Sequence, residues 1–328
     1  MIAAMTLPIH PTQSRLLRRR TPPTQAVTPR SIALFRLGEA CNNHCPMCSN
    51  SGDPAAWLTA REELLRRVQW LSAQGLRRVV VTGGEPTSHP AFWDVIAALG
   101  SARMVWDINS NARSFAQIGF ADRAVEAGLQ RAILSLHSHV PAISQEISGV
   151  TAKGHNEIIA GIDALVATGV PVMLNLVLTT LNYLQLIAYL EWTVARWGHE
   201  IELKICFPTT IGRGGTWAGI ALRYADVAGP VRAFAAAAEA IGLTWHAESL
   251  PPCVLGDARA GNMSRSGFGE THYLDDLSGA ALYPIAHIEA ELACFAETCR
   301  DCKVFSTCSG VSEAYMRRWG GGEFTPIV

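Results

Sequence analysis

Three cysteines, Cys41, Cys45 and Cys48, fall within eight residues in the stretch "ACNNHCPMCSN". Thiolates are ligands for soft metals, and three in one short loop fill most of a coordination shell. A structural zinc would need a fourth Cys or His; His44 lies inside the Cys41–Cys45 spacer, where closing one tetrahedron is awkward. A [4Fe–4S] cubane takes three thiolates and leaves one iron open to a substrate or cofactor. A second set, Cys294, Cys299, Cys302 and Cys308, lies near the end of the chain, with Cys253 upstream in "LPPCVLGD" and Cys206 apart from both. Cysteines clustered this way in a long α/β-patterned chain point to metal in a reducing compartment, hence a cytoplasmic protein, rather than to a secreted disulfide scaffold.

The elements that must position these thiols follow a strand-then-helix rhythm. Apolar runs predict strands at "SIALFRL", "RRVVVTGG" (77–84), "RMVWDINSN" (103–111), "RAILSLHS" (131–138), "VPVMLNLVLTT" (170–180) and "IELKICFP" (201–208). Helical spacing predicts helices at 61–71, 91–99, 120–129, 155–169, 184–198 and 226–242. Successive β/α units imply parallel strands with right-handed crossovers. Six units are too few for a closed eight-stranded barrel, so the expectation is an α/β fold with a partial (β/α)6 parallel barrel over 31–242. A small cysteine-rich extension follows over 243–328. Residues 1–30 read as a basic, flexible extension: the first 38 residues hold six arginines and no acid, which resembles a transit peptide, but repeated prolines break any long helix.

Composition narrows the function classes. Hydrophobic residues make up 49% of the chain and charged ones 17%, so a large core is available and disorder is not expected. The formal net charge of -1 gives no electrostatic reason for a nucleic-acid partner, and no apolar run reaches the roughly 18 residues of a membrane span.

The first cysteine loop follows the first strand, on the face where β/α barrels build catalysis. Cys-x3-Cys-x2-Cys in that place resembles the radical S-adenosylmethionine (SAM) superfamily. The resemblance implies that Cys41, Cys45 and Cys48 hold a [4Fe–4S] cluster whose open iron chelates SAM, and that reductive cleavage of SAM gives a 5′-deoxyadenosyl radical. "TGGEP" at the end of the second strand resembles the superfamily's SAM-binding element, which places Gly83, Gly84, Glu85 and Pro86 near the cofactor; the glycines would let backbone approach a ligand without a Cβ in the way. By the same resemblance, Asn109 in "INSNAR", Ser135 in "LSLHS", Asn175 in "MLNLVLT" and the backbone at Met47 contact SAM. His89, His137, His139 and His155 read as hydrogen-bonded structural residues. The resemblance also implies an electron donor, a reductase or a flavodoxin- or ferredoxin-type protein.

Cys299-x2-Cys302-x5-Cys308, with Cys253 upstream, resembles the SPASM and shorter twitch auxiliary-cluster modules of radical SAM enzymes. That implies one further [4Fe–4S] cluster on Cys253, Cys299, Cys302 and Cys308, with Cys294 an alternative ligand; a zinc knot is the structural alternative. The C-x2-C-x5-C-x-G and final "PI" are similar to maturases of ribosomally made peptides, including the His-Xaa-Ser repeat type. The expected substrate is therefore a peptide, modified by cross-link, thioether or other oxidation. The short segment before Ser31 leaves peptide recognition to a separate protein or to the barrel mouth. A small metabolite such as a nucleoside or sugar is the alternative substrate, and a non-catalytic electron-transfer protein a remote one. Cys206, ending the sixth strand on the same side as Lys204, is a candidate hydrogen donor to a substrate radical.

Overall fold

The computed structural model describes residues 27–28, 30–49, 58–209, 212–256, 270–274 and 279–328; the expected N-terminal extension lies almost wholly outside them. Strands β1 (Ile32–Arg36), β2 (Arg78–Thr82), β3 (Val105–Ser110), β4 (Leu129–Ser135), β5 (Val172–Val177), β6 (Glu202–Cys206) and β7 (Trp245–Glu248) lie side by side in chain order, every neighbouring pair parallel. Helices α1 (Arg61–Ala73), α2 (Phe92–Ser101), α3 (Phe120–Glu126), α4 (Pro141–Ser148), α5 (Ala152–Ala167), α6 (Leu186–Trp197) and α7 (Tyr224–Ala240) form the crossovers. The expected partial parallel barrel is present.

The sheet extends beyond the six strands read from sequence. β7 adds at one edge, while β8 (Thr271–Leu274) joins β1 in parallel and β9 (Leu282–Pro284) pairs antiparallel with β8 at the other. The segment after Leu243 is thus woven into both edges of the barrel sheet. Its remainder comprises α8 (Pro252–Leu255), α9 (Ile285–Leu292), the two-residue strands β10 (Ala293–Cys294) and β11 (Val311–Ser312), and α10 (Glu313–Trp319).

Alternation along the strands sorts side chains to two faces. The outer positions, such as Ala33, Phe35, Val79, Val81, Ile108, Leu134, Leu174 and Ile205, join the main core under the helices. Ile32, Val80, Ile133 and Met173 form a separate small cluster, with Leu34 against it, that fills the middle of the barrel. Below that plug Arg78 forks onto Asp107 with both contacts at 2.8 Å. Arg131 pairs with Glu202, which His246 Nε2 also meets at 2.6 Å. Charges inside the sheet are tolerated because each finds an opposite partner.

The C-terminal segment is fixed to the barrel by aromatic packing and hydrogen bonds. Phe207, just past β6, stacks on Tyr224 of α7 with centroids 3.9 Å apart, and Tyr224 meets Tyr315 of α10 at 4.6 Å. The Tyr315 hydroxyl donates to Glu323 Oε1 at 2.6 Å and accepts from the Tyr224 amide at 2.8 Å. Ser312 caps α10 by accepting from the Tyr315 amide at 3.2 Å.

Candidate active site

The cysteine loop leaves β1 and is seated by backbone on three sides. The Gly84 amide donates to the Gly38 carbonyl at 2.8 Å, and the Glu85 amide to the Ala40 carbonyl at 2.9 Å. A Cβ on Gly84 would overlap the carbonyl groups of Glu39 and Ala40, and one on Gly83 would overlap Gly38. Both glycines thus give room to the loop that carries the cysteines. Gly149 does the same on another side, where a Cβ would strike the His44 backbone. On the third side, Gly214 donates its amide to the Cys48 carbonyl at 3.1 Å.

Glu85 is a buried clamp. Its Oε1 accepts from the Thr87 amide (3.1 Å), the Thr87 hydroxyl (2.6 Å) and the Ser110 hydroxyl (2.9 Å), and its Oε2 accepts from the Asn111 amide (2.7 Å). Burial nevertheless holds its carboxyl above the usual range, against those hydrogen bonds. The carboxylate ties the end of β2 to the end of β3, and Pro86 opens the short helical turn behind it. Asn111 then reaches back to the cysteine loop, donating to Asn42 Oδ1 at 2.6 Å with the Cys41 sulfur 3.9 Å away. Arg113, paired with Glu157 at 2.8 Å, donates to the Asn42 carbonyl and, at 3.2 Å, to Asn43 Oδ1. Met47 anchors the loop by its side chain, packed with Ile147 and Ile220.

The three thiols lie within electrostatic reach of one another. Burial raises Cys45 to about 12, with Cys48 and Cys41 adding to the effect; burial also raises Cys41. The Cys45 thiol donates to the Ser148 carbonyl at 3.3 Å, while Cys41 accepts from the Asn43 amide at 3.4 Å. Among the described residues no three Cys, His, Asp or Glu side chains converge tightly enough for a single metal ion. A cubane makes a different demand, because it spreads its thiolates over separate irons.

Facing the loop, the upper interior positions of the barrel are polar. They include Asn109, Ser135, Asn175 and Cys206, near the carboxyl ends of β3 to β6. Register pairs Ser135 with Asn175 and Cys206 with Glu248. The Asn109 Oδ1 is buried without a hydrogen-bond partner, an acceptor ready for a bound group. Three thiolate donors and a ring of polar side chains suit an open-iron cluster with an amino-acid-bearing cofactor. Cys206 is buried and donates to Asn175 Oδ1 at 3.0 Å. Burial, then the Glu248 charge, pushes its thiol well up, so it is protonated. Desolvation opposes the charge on Lys204, yet the Glu248 carboxylate, its Oε2 2.8 Å from Nζ, holds it protonated.

The C-terminal thiols also gather. Burial, with Cys308, Cys299 and Cys302 adding to the effect, raises Cys253 to about 11. Backbone amides point at two of these sulfurs: Gly310 at Cys308 (3.3 Å) and Ile327 at Cys302 (3.4 Å). Amide donors to sulfur are a recognised lever on cluster potential. Cys294 is fully buried on β10, its sulfur 4.0 Å from the Leu292 carbonyl. Between β6–β7 and this segment lies a cavity of about 270 Å³, lined in part by Phe207, Tyr224, Glu248, Gly310, Tyr315 and Trp319.

The histidines serve structure. His89 Nδ1 accepts from the Ala91 amide at 3.0 Å, His137 Nδ1 from the Val177 amide at 3.2 Å, and His155 Nδ1 meets the Ser144 hydroxyl at 3.1 Å. His139 departs from the expectation of a bonded residue: its Nδ1 is buried without a partner. Glu248 escaped the sequence reading because it lies beyond the expected barrel, and Asn111 because Asn109 was singled out from the same motif.

A partial parallel barrel with three thiols at the end of its first strand defines the radical SAM domain. Residues 35–192 match the family model of the Radical SAM superfamily, and the chain carries that domain. The family implies a [4Fe–4S] cluster and SAM. Among curated proteins, the chain is similar to a probable GTP 3′,8-cyclase of Saccharolobus solfataricus, 28% identical over 179 residues, covering 54% of this chain and 57% of that one. It is likewise similar to a probable GTP 3′,8-cyclase of Sulfurisphaera tokodaii, 30% identical over 188 residues, covering 56% of this chain and 59% of that one. The chain thus spans little more than half of these relatives. Among solved structures, Streptococcus suis SuiB bound to S-adenosylmethionine matches with a TM-score of 0.61 at 14% identity, over 91% of this chain and 76% of that one. Native anSMEcpe with bound AdoMet and the Kp18Cys peptide matches with a TM-score of 0.61 at 11% identity, over 91% and 93%. These two likenesses concern the fold. Among the described residues no helix is long and apolar enough to cross a membrane.

Proposed function

We propose that this protein is a radical SAM enzyme that oxidatively modifies a ribosomally made peptide. Cys41, Cys45 and Cys48 hold the SAM-binding cluster, and Cys253, Cys299, Cys302 and Cys308 hold a second one in a twitch-like module. When bound, the first cluster and SAM supply a 5′-deoxyadenosyl radical that takes a hydrogen atom from substrate. Asn109, Ser135 and Asn175 orient the cofactor, with the Met47 backbone and the Gly83–Pro86 turn fixing the loop beside it. Phe207, Tyr224 and Tyr315 close the site against water. Cys206, protonated and buried, would return a hydrogen atom to a substrate radical only in a redox-neutral alternative, an epimerisation, and has no such part in the oxidation.

The observation that carries the peptide reading is the cavity between the barrel rim and the second thiol set. At about 270 Å³ it falls just below the roughly 300–1,000 Å³ usual for whole small-molecule ligands, a size suited to one side chain and its backbone. Its lining is mainly apolar and aromatic, with carboxylates at Glu248 and Glu289 and a guanidinium at Arg318. The relatives named as probable GTP 3′,8-cyclases favour a second reading, a nucleotide substrate. SAM cleavage in the presence of GTP separates these readings, and metal content tests the second cluster. Anaerobically reconstituted protein should hold about eight irons, and GTP should not raise dithionite-driven release of 5′-deoxyadenosine. GTP-dependent stimulation would replace the peptide reading with the nucleotide one; about four irons and a zinc would remove the second cluster.

A further inference from the structure

The turn that follows β6 carries an arginine that forms no ion pair among the described residues. Arg213 lies in the short helical turn Gly212–Thr216, which is docked directly on the cysteine loop. Gly214 donates its amide to the Cys48 carbonyl at 3.1 Å, and a Cβ there would come within 2.8 Å of the Met47 carbonyl oxygen, so the turn cannot stand further in. The Arg213 Nε is buried and makes no hydrogen bond, and among the described residues the guanidinium forms no ion pair. Its field reaches Cys45, acting against the mutual repulsion of the three thiols. The other nearby guanidinium, Arg113, is already neutralised by Glu157 at 2.8 Å. Arg213 is half-buried, with its Nε shut off from water and unpaired, so a negative group beside it would offset the cost of shielding that charge.

We infer that Arg213 is a positioning residue for the iron–sulfur centre: its guanidinium is the counter-charge of the cluster on Cys41, Cys45 and Cys48 and sets that cluster's reduction potential. The inference rests on the proposed assignment of those thiols. A [4Fe–4S]2+ cluster on three thiolates carries a net negative charge. It takes one further electron from a low-potential donor without gaining a proton, so a nearby cation favours the reduced form. Removing that cation makes reduction harder.

The test is a dithionite-coupled EPR redox titration of the reconstituted protein, without SAM, on wild type, Arg213→Gln and Arg213→Lys. Each is made in a background with Cys299 and Cys302 replaced by alanine, so that only the first cluster is read. Iron content and the wild-type EPR signal report independently on whether the three thiols hold a cluster. At equal iron content, Arg213→Gln should lower the equilibrium constant for reduction by at least about tenfold, about 59 mV for a one-electron couple, and Arg213→Lys should restore most of it. An unchanged potential in Arg213→Gln overturns the inference. So does an unchanged potential with weakened SAM binding, which would assign the guanidinium to the cofactor's carboxylate instead.

Discussion

Replacing Gly84 by alanine tests how the cysteine loop is held. Gly84 has no left-handed backbone angle, so alanine there carries no intrinsic conformational penalty, and any effect comes from the space around its Cβ. That Cβ would lie 2.6 Å from the Ala40 carbonyl carbon, roughly 1 Å short of the 3.5–4.0 Å of ordinary carbon–carbon contact. Both sides are backbone, so relief requires the loop and the end of β2 to part. Parting breaks the Gly84–Gly38 and Glu85–Ala40 hydrogen bonds, now 2.8 and 2.9 Å. Leaving buried backbone groups unpaired costs about 1–3 kcal/mol each, so the substitution should destabilise by about 2–5 kcal/mol. At about 2 °C per kcal/mol for a chain of this size, Tm should fall by roughly 4–10 °C. Thermal unfolding and iron content after reconstitution are the assays, with Gly100→Ala as control. Gly100 lies in α2 with nothing within 4 Å of its Cβ, and alanine there should gain up to about 1 kcal/mol. Wild-type Tm and iron loading in Gly84→Ala would refute the packing argument. Wild-type stability with loss only of the SAM-induced EPR change would return the glycine to the ligand.

Other outcomes follow from groups already described. His137, lowered by burial to about 4, takes up its proton in the unfolded chain near 6.5 but not in the fold. Its contribution to stability is therefore complete above pH 6.5 and is lost as pH falls toward 4. Urea titrations at pH 7 and pH 5 should differ by about 2 kcal/mol from this group alone, and His137→Asn should flatten that slope. Tyr315→Phe strands the Tyr224 amide and leaves Glu323 Oε1 only its longer contact with Arg223 at 3.7 Å, and should cost about 1–3 kcal/mol in chemical denaturation; a change below about 0.5 kcal/mol would mean that water replaces the hydroxyl without loss. Cys253→Ala should remove about four irons while leaving the SAM-sensitive EPR signal, whereas Cys294→Ala should remove none. The reverse pattern would exchange the two cysteines in the ligand set.

What was legible in the sequence was local. β1 to β6 announce themselves because their outer faces are continuous apolar rows, and the cysteine loop because ligand spacing is a property of a few consecutive residues. β7 is hidden: it is four residues long, and its inward positions, His246 and Glu248, are polar because they answer Glu202 and Lys204 on the neighbouring strand. β8 leaves no periodic trace, since what makes "THYL" a strand is the open edge of β1 far away in the chain. The packing of the "TGGEP" glycines against the cysteine loop is not legible either, because sequence shows that a Cβ is missing and not which backbone lies in that space. Arg213 was invisible for the same reason. Its relation to the cysteines exists only after six strands have been laid down.

The pairing of β1 with β8 also sets an order of events during synthesis. β1 is made long before β8, and its second hydrogen-bonding edge stays open until Thr271–Leu274 follow. At roughly 5–20 residues per second, that interval lasts about 12–50 s. The nascent barrel meanwhile presents an unpaired strand next to three bare thiols, and metal delivery competes with aggregation and oxidation through all of it. Loading after release, on a chain in which β8 has already paired with β1, avoids that exposure.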